Sequence, residues 1–310
     1  MTFSIQMFSN LLCCYFAFFW HFCENCSFVF EAFHQTLTRI LQCDSHYYTI
    51  ILLLATEPVV TSTYNELIIT NCRESEMESS KKKIVVFTGA GISAESGLAT
   101  FRDKKGLWKQ QHLEDLATKQ AWEYDPERVL AFYNHRIAKA NAAKPNAAHH
   151  AIAELERYFD VSVITQNVDD LHERAGSTNV IHLHGRLNFA QSSLDASVVY
   201  PWHGKPILIG QRCEFNCQLR PNVVLFGEPV LNLDEARTLI SDADKVLAIG
   251  SSLTVQPAAG LLNEASVQAE KVLISKEVKT KPLGYTFISG NASTCVPRQC
   301  SDWLREVVAQ

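Results

Sequence analysis

Residues 83–97 have the sequence KIVVFTGAGISAESG, and this stretch decides the fold. Its first six residues are mostly apolar and β-branched, which is typical of a strand buried on both faces of a parallel sheet. The closely spaced glycines that follow let the backbone approach a ligand, and the helix predicted to begin there offers unpaired N–H groups to an anion. The stretch therefore predicts a phosphate-binding turn. A strand-to-helix turn without a ligand is the alternative.

The spacing of the glycines distinguishes this turn from the one in hydride-transferring dehydrogenases. Gly89, Gly91 and Gly97 form the pattern G-x-G-x5-G, whereas those enzymes carry G-x-G-x-x-G. No acidic residue ends a second strand about twenty residues later, where such enzymes bind a ribose hydroxyl. The sequence thus favours a nucleotide site of a different kind.

Strands and helices alternate along the rest of the chain, which predicts an α/β fold with a Rossmann-like, doubly wound parallel sheet. The stretch 186–220 is irregular and too long for an ordinary loop, so we expect a small inserted module there. The predicted strands are 83–88, 161–165, 180–183, 222–226, 245–249 and 271–275, and the predicted helices are 113–122, 126–141, 233–241 and 297–308, with two more that begin near 145 and after 257.

The charge of the chain is unevenly distributed. Residues 1–76 hold 2 basic and 7 acidic residues and account for the formal net charge of −5, because the remaining 26 basic and 26 acidic residues cancel. A neutral main body gives no electrostatic reason to expect binding to nucleic acid or to a membrane surface.

The first quarter of the chain also differs in composition. Residues 1–76 hold 14 of the 31 aromatic residues and six of the ten cysteines. Their apolar run at 11–22 falls short of the roughly 20 residues that a membrane-spanning helix needs. Met77 precedes a short polar leader and the first strand, so we expect translation to begin there, with a catalytic domain at 77–310 and an N-terminal extension, 1–76, of doubtful origin. A genuine membrane-associating leader is the alternative.

Polar residues follow the carboxyl ends of several predicted strands, where doubly wound sheets bind their ligands. Amide and carboxylate groups suit ribose hydroxyls, and a neutral histidine is the usual general base near pH 7. The alternatives are a structural histidine and, for the asparagine and aspartate, a helix N-cap. The residues in question are Gln166, Asn167, Asp169, His184, Gly250, Ser251 and Ser252.

Five motifs in this order resemble the sirtuins, which are NAD-dependent protein-lysine deacylases, and the resemblance covers about residues 80–305. The motifs are residues 89–102, TQNVD at 165–169, His184-Gly185, Phe226-Gly227-Glu228 and GSSL at 250–253. The resemblance implies NAD as cofactor and acyl-lysine proteins or peptides as partners. It also implies cleavage of NAD to nicotinamide, with free lysine and O-acyl-ADP-ribose as the other products.

The resemblance implies the following roles. His184 would be the general base, and Asn167 and Asp169, with Gln166 beside them, would hold the ribose, a water and the nicotinamide pocket. Further contacts with NAD would come from Gly89, Ala90, Gly91, Glu95, Thr100, Phe101, Arg102, Trp108, Gly250, Ser251, Ser252, Ser275 and Ala292.

The resemblance also addresses the substrate. The substrate backbone would add as a strand beside the segment at Phe226, Gly227 and Glu228, through main-chain hydrogen bonds. Tyr133 and Arg136 match the Tyr-x-x-Arg pattern of class III sirtuins, which prefer succinyl, malonyl and glutaryl lysine. At positions i and i+3 of a helix the two side chains share one face, and a guanidinium pairs bidentately with a carboxylate.

The chain departs from most sirtuins at the zinc module. Between His184 and Phe226 it has two cysteines, Cys213 and Cys217, and a tetrahedral structural zinc takes four ligands. His203 offers a third, and no fourth is evident, so we expect no metal and two ordinary thiols. We expect apolar residues to hold the module, and the absence of paired cysteines suits a reducing cytoplasm. These apolar residues are Val198, Val199, Tyr200, Trp202, Ile207 and Leu208.

The departure leaves two alternatives to deacylation. One is a degenerate fold that binds NAD or ADP-ribose without turnover. The other is a protein ADP-ribosyltransferase, which would keep the cleavage of NAD. The presence of His184, Asn167 and Asp169 argues against the first.

Overall fold

Residues 81–100, 116–278 and 281–308 are described by a computed structural model. All of them belong to the unit that spans Ser75–Gln310. Two short 3-10 helices, Ala94–Ser96 and Ala258–Asn263, accompany the regular elements. The strands are β1 (Lys83–Thr88), β2 (Asp160–Thr165), β3 (Val180–His182), β4 (Gly185–Ser192), β5 (Val199–Pro201), β6 (Leu219–Val223), β7 (Lys245–Ile249), β8 (Glu270–Ser275) and β9 (Thr286–Ser289), and the helices are α1 (Lys119–Tyr124), α2 (Pro126–Ala142), α3 (Ala147–Leu155), α4 (Leu171–Ala175), α5 (Leu233–Ser241) and α6 (Ala292–Val308).

Six strands form a parallel sheet in the order β3-β2-β1-β7-β8-β9. From β1 the chain builds outward through β2 and β3 on one side, and then through β7, β8 and β9 on the other. The direction of winding therefore reverses between β1 and β7, which is where open α/β sheets bind their ligands. The predicted doubly wound fold is confirmed.

Both faces of β1 are buried, as its apolar sequence predicts. Ile84 and Val86 pack in a cluster with residues of α3 and α6, which include Ile152 and Trp303. Val85 and Phe87 point to the opposite face and pack with α5 and the second 3-10 helix. The alternation follows from the two-residue period of a strand and places a helical layer on each side of the sheet.

The module at 186–220 is more regular than its sequence indicates. β4 pairs antiparallel with β5 and with β6, so the expectation of an irregular segment is wrong. A register shift between Arg186 and Ala190 interrupts the pairing of β4 with β6. β6 itself carries polar residues, and for that reason the predicted strand at 222–226 lies three residues too late.

Other boundaries also differ from those predicted. The strand at 286–289 was not expected; it lies at the sheet edge, is largely exposed and lacks an apolar run. The last helix begins at Ala292 and contains Pro297, where the sequence predicts its start. The helix expected at 113–122 occupies Lys119–Tyr124, and residues 113–115 lie outside the described residues.

A small hydrophobic cluster holds the inserted module to α2. Its buried members are Leu130, Ala190, Ile207, Cys213 and Leu219, and Trp122, Tyr200, Trp202 and Cys217 pack against them. The expected apolar support is thus confirmed for Tyr200, Trp202 and Ile207. Leu208 and Val199 are exposed instead, by 57% and 38%.

The two cysteines of this module are free thiols. Their backbones are joined by a hydrogen bond from Cys213 N to Cys217 O of 2.8 Å. Within residues 81–100, 116–278 and 281–308, no three His, Cys, Asp or Glu side chains are grouped as metal ligands would be. Nor does that part of the chain include a helix with the length and hydropathy needed to cross a bilayer.

Two asparagines of α2 also bind the module through hydrogen bonds to its backbone. Asn134 donates through Nδ2 to the carbonyl of Ile207 and accepts through Oδ1 from its N–H, both at 2.8 Å. One heptad later, Asn141 Nδ2 donates to Gly204 O at 2.8 Å. The helix that carries Tyr133 and Arg136 is therefore fixed to the inserted module.

We predict that Asn134→Ala lowers the free energy of unfolding by about 1–3 kcal/mol, because it leaves both backbone groups of a buried residue without partners. Urea unfolding followed by fluorescence measures the change. His135→Ala, at the neighbouring exposed position, is the control and should be close to neutral. Equal stability of the two variants would contradict this role for Asn134.

Candidate functional site

The glycine turn after β1 packs backbone against backbone on the turn after β7. Gly89 N donates to Ile249 O, and Gly91 N donates to Gly250 O, both at 2.9 Å. A Cβ on Gly91 would lie 2.6 Å from Gly250 Cα and O. Gly250 has φ +60° and its own Cβ would lie 2.5 Å from Ile92 N. Glycine is therefore required on both turns, and together they form a side-chain-free cradle at the reversal point of the sheet.

The 3-10 turn that follows the cradle is held from two sides. Asn146, at the start of α3, donates through Nδ2 to Ile92 O at 2.8 Å and to Ser96 Oγ at 3.0 Å. Glu95 Oε2 accepts a hydrogen bond of 2.8 Å from Ser293 N, in the first turn of α6. The Glu95 carboxylate is thus engaged with the N-terminus of α6, next to the buried Ala292.

Ser93 connects the cradle to the polar residues that follow β2. Its hydroxyl accepts from Asn167 Nδ2 and donates to Asp169 Oδ2, each at 3.2 Å. All three side chains are buried. Ser93 is not among the site residues predicted from the sequence, although a serine in a glycine-rich turn is a usable signal.

Both carboxylate oxygens of Asp169 accept hydrogen bonds. Oδ1 accepts from Leu171 N, at the first residue of α4, at 3.3 Å, and Oδ2 accepts from Ser93 Oγ. The N-cap of α4 is Asp170, whose side chain makes no capping bond. Burial raises the pKa of this carboxyl, and the hydrogen bonds from Leu171 and Ser93 act in the opposite sense. Asn167, by contrast, directs its amide to Ser93 and does not cap the helix.

Gln166 links the ends of β2 and β7. Ser251 Oγ donates to Gln166 Oε1 at 3.0 Å and accepts from Leu253 N at 3.2 Å. Ser252 lies more exposed, with its hydroxyl 2.7 Å from Thr254 Oγ1. The structure thus brings Gln166, Ser251, the cradle and the Asn167–Asp169 turn together, as the sequence predicts.

His184 follows β3 and approaches the same turn. Its Nδ1 lies 3.0 Å from Gln166 O, and because a carbonyl only accepts, Nδ1 carries the proton. Nε2 is then the basic nitrogen. Burial lowers the pKa of His184 below its ordinary value of 6.5, while the bond to Gln166 acts in the opposite sense. The ring is therefore neutral at pH 7, as a general base must be.

Tyr133 and Arg136 share one face of α2, as the i, i+3 spacing predicts. Burial raises the pKa of Tyr133 to about 12, so its phenol keeps the proton. Burial lowers the pKa of Arg136, and the nearby Tyr133 and Asp169 raise it. The influence of Asp169 places the guanidinium within electrostatic reach of the turn after β2.

The segment after β6 has a fixed geometry. Phe226 N donates to Ala117 O at 2.8 Å, and Phe226 O accepts from Lys119 N at 3.2 Å, so its backbone groups are already paired. Glu228 accepts from Leu225 N at 2.8 Å and pairs with the buried Arg220 at 2.6 Å. The Glu228 carboxylate thus holds this turn in shape, while the Phe226 side chain is 44% exposed.

The structure describes only some of the other residues that are expected to bind NAD. Ser275 ends β8 and donates through Oγ to Glu277 O at 2.9 Å. Thr100 is the last described residue after the glycine turn. Phe101, Arg102 and Trp108 lie outside the described residues.

A protein-family model described as "Sir2 family" matches residues 89–257. The NAD-dependent protein deacylase of Aggregatibacter actinomycetemcomitans is 48% identical over 206 residues, which are 66% of this chain and 97% of that protein. The NAD-dependent protein deacylase of Escherichia coli (strain K12) is 42% identical over 238 residues, 74% of this chain and 85% of that protein.

Solved structures of Sir2 proteins are also similar to this chain. A crystal structure of a Sir2 homolog–NAD complex has a TM-score of 0.66 at 37% identity and covers 76% of this chain and 94% of that one. A complex of Sir2 with a p53 peptide and NAD+ has a TM-score of 0.58 at 28% identity, with 75% and 98% covered.

We predict that Gly91→Ala lowers the free energy of unfolding by about 1–3 kcal/mol and weakens NAD binding, because the new methyl meets the backbone of Gly250. Thermal unfolding and calorimetric titration with NAD measure the two effects. Gly260→Ala is the matched control, since its Cβ would meet only the flexible Gln256 side chain. Unchanged NAD affinity in Gly91→Ala would contradict a role for this glycine turn in NAD binding.

Proposed function

This chain belongs to the Sir2 family and is an NAD-dependent protein deacylase, and we propose that it acts on lysine side chains that carry acidic acyl groups. The observation that carries this proposal is the position of Arg136, on the same helical face as Tyr133 and within electrostatic reach of Asp169. Arg136 is partly buried and adds a cation beside the buried Tyr133.

The residues of the crevice fit NAD. The two glycine turns bring main chain, without long side chains at Gly89, Gly91 and Gly250, to the carboxyl ends of β1 and β7, where a pyrophosphate would bind. Ser251 and Gln166 add a hydroxyl and an amide beside it. When bound, NAD supplies the ribose carbon that the acyl oxygen captures as nicotinamide leaves, and free lysine and O-acyl-ADP-ribose are the other products.

We assign the general base to His184. Its Nδ1–H is fixed by Gln166 O, which leaves Nε2 to take a proton from a ribose hydroxyl. Asn167 and Asp169 would bind the ribose, a water and the nicotinamide group, because their side chains are buried and oriented by the shared contact with Ser93. This contact fixes their rotamers before a ligand arrives.

The acyl group would be selected by charge. An Arg136 guanidinium pairs bidentately with the terminal carboxylate of a succinyl, malonyl or glutaryl group, and the protonated Tyr133 phenol donates a further hydrogen bond. An acetyl group has no terminal carboxylate, so it can accept neither of these interactions.

The acyl-lysine peptide would bind in extended form beside Gly227. The turn at 225–228 is held by Glu228, and the backbone of Phe226 already pairs with 117–119. The edge open to a substrate strand would therefore begin after Phe226, and main-chain bonds would bind the peptide with little sequence preference.

Free thiols at Cys213, Cys217, Cys295 and Cys300 support a reducing, cytoplasmic location.

We predict that the full chain, with NAD, turns over succinyl-lysine peptides faster than matched acetyl-lysine peptides. Arg136→Met should lower succinyl turnover by about 10- to 100-fold, as expected for loss of a charge-assisted hydrogen bond, and should spare acetyl turnover. Mass spectrometry follows free lysine, nicotinamide and O-acyl-ADP-ribose. Lys139→Met, exposed on the same helix, is the control for lost charge, and His184→Ala should abolish both activities. Unchanged desuccinylation in Arg136→Met would show that the acyl selectivity lies elsewhere.

A second prediction concerns pH. His184 must be neutral to accept a proton, so activity is present above its pKa and lost as the pH falls through it. Because burial lowers that pKa, single-turnover product formation should persist at pH values below the 6.5 of an ordinary histidine. Loss of activity centred above pH 6.5 would contradict the buried, neutral state assigned to this ring.

A further inference from the structure

Arg220, in β6, is a buried arginine that neither the cofactor site nor the general-base step uses. The residue is 4% exposed. Its guanidinium donates through Nη2 to Glu228 Oε1 at 2.6 Å and through Nη1 to the carbonyl oxygen of Val223 at 2.9 Å. Because a guanidinium is planar and its donors have fixed directions, these two bonds fix both partners relative to each other.

Glu228 extends this contact to the turn after β6. Its Oε2 accepts from Leu225 N at 2.8 Å, and its own N–H donates to Leu225 O at 3.0 Å. One ion pair therefore holds the end of β6, at Val223, together with the turn at 225–228. Gly227 lies in this turn and is exposed, so its main chain is accessible to a ligand.

The residues held by the ion pair also border the proposed acyl pocket. Val223 and Leu225 are buried and pack in one cluster with Tyr133. Burial is the main cause of the raised pKa of Tyr133, and the charges of Arg220 and Glu228 act on this phenol in opposite senses. The pair thus lies within electrostatic reach of Tyr133, and its hydrogen bonds hold the backbone of two residues that pack with that side chain.

We propose that Arg220 is a positioning residue for the acyl-lysine substrate, which acts through Glu228 to fix the turn beside which the peptide binds. The inference rests on the proposed binding of the peptide beside Gly227. Arg220 would act without touching the substrate. Because one pair holds both the turn and the residues packed with Tyr133, it would align the peptide backbone with the acyl pocket.

The backbone of β6 is also held by bonds that do not involve the Arg220 side chain. Val223 pairs with Gly185 of β4, and Val224 N donates to His184 O at 2.9 Å. Loss of the ion pair should therefore displace the turn at 225–228 and leave the general base in place. We expect such a loss to weaken peptide binding more than it alters NAD binding or kcat.

The role is tested by steady-state kinetics of the full chain, with NAD and with matched acetyl- and succinyl-lysine peptides. Arg220→Lys keeps the charge without the two fixed donors, and Glu228→Gln keeps the shape of the side chain without its charge. Each variant should raise the KM for both peptides by about 10-fold, with much smaller changes in the KM for NAD and in kcat. Arg237→Lys, in an exposed ion pair with Asp234, is the matched control and should change neither KM.

The double variant tests whether Arg220 acts through Glu228. If the two side chains act as one pair, combining Arg220→Lys with Glu228→Gln should raise the peptide KM little more than the stronger single variant does. Fully additive effects would contradict the proposal. Equal rises in the KM for NAD and for the peptides would also overturn it, because they would indicate a general loss of structure.

Glu228→Gln decides the matter if Arg220→Lys fails to fold, and a wild-type peptide KM in that variant would overturn the positioning role. The expected change is the same for both peptides, so it does not depend on which acyl group the chain prefers. A wild type without preference for succinyl-lysine would count against the proposed function alone.

Discussion

The architecture of the site depends on one steric constraint, the direct contact of two backbone turns at the point where the sheet reverses its winding. Gly91 and Gly250 leave no room for a side chain, and each turn donates or accepts a hydrogen bond across the gap. This contact holds the carboxyl ends of β1 and β7 side by side, at the position where open α/β sheets bind their ligands. The polar residues of the site surround these two turns. The main body of the chain has no net charge, so long-range electrostatic attraction adds little to ligand binding there.

Burial then determines the chemistry of the groups that surround the cradle. Burial lowers the pKa of His184, whose ring contacts one backbone carbonyl, and this favours the neutral ring. Burial likewise lowers the pKa of Arg136. The same desolvation therefore acts on the residue proposed as the base and on the one proposed to bind an acidic acyl group.

The sequence predicted those parts of the fold in which local pattern and tertiary environment agree. The apolar runs at Lys83–Thr88 and Lys245–Ile249 became strands with those bounds because both faces are buried. The predicted position of β6 was wrong because its polar side chains are buried through pairing with residues outside the strand. Arg220 pairs with Glu228, and Asn222 pairs with Gln191. The positions of the site residues followed from strand ends. Their partners did not, since Glu95 contacts a residue 198 positions away.

Apolar contacts and hydrogen bonds join the inserted module to the helix proposed to select the acyl group. Apolar side chains of the module pack on Leu130 of α2, and Asn134 holds the backbone of Ile207. Tyr133 and Arg136 lie on the same helix. Because Asn134 lies on the same helix as Tyr133 and Arg136, its contact with the module constrains the helix that carries the residues proposed to bind the acyl group. Changes inside the module should therefore alter acyl selectivity before they alter NAD binding, which depends on the cradle.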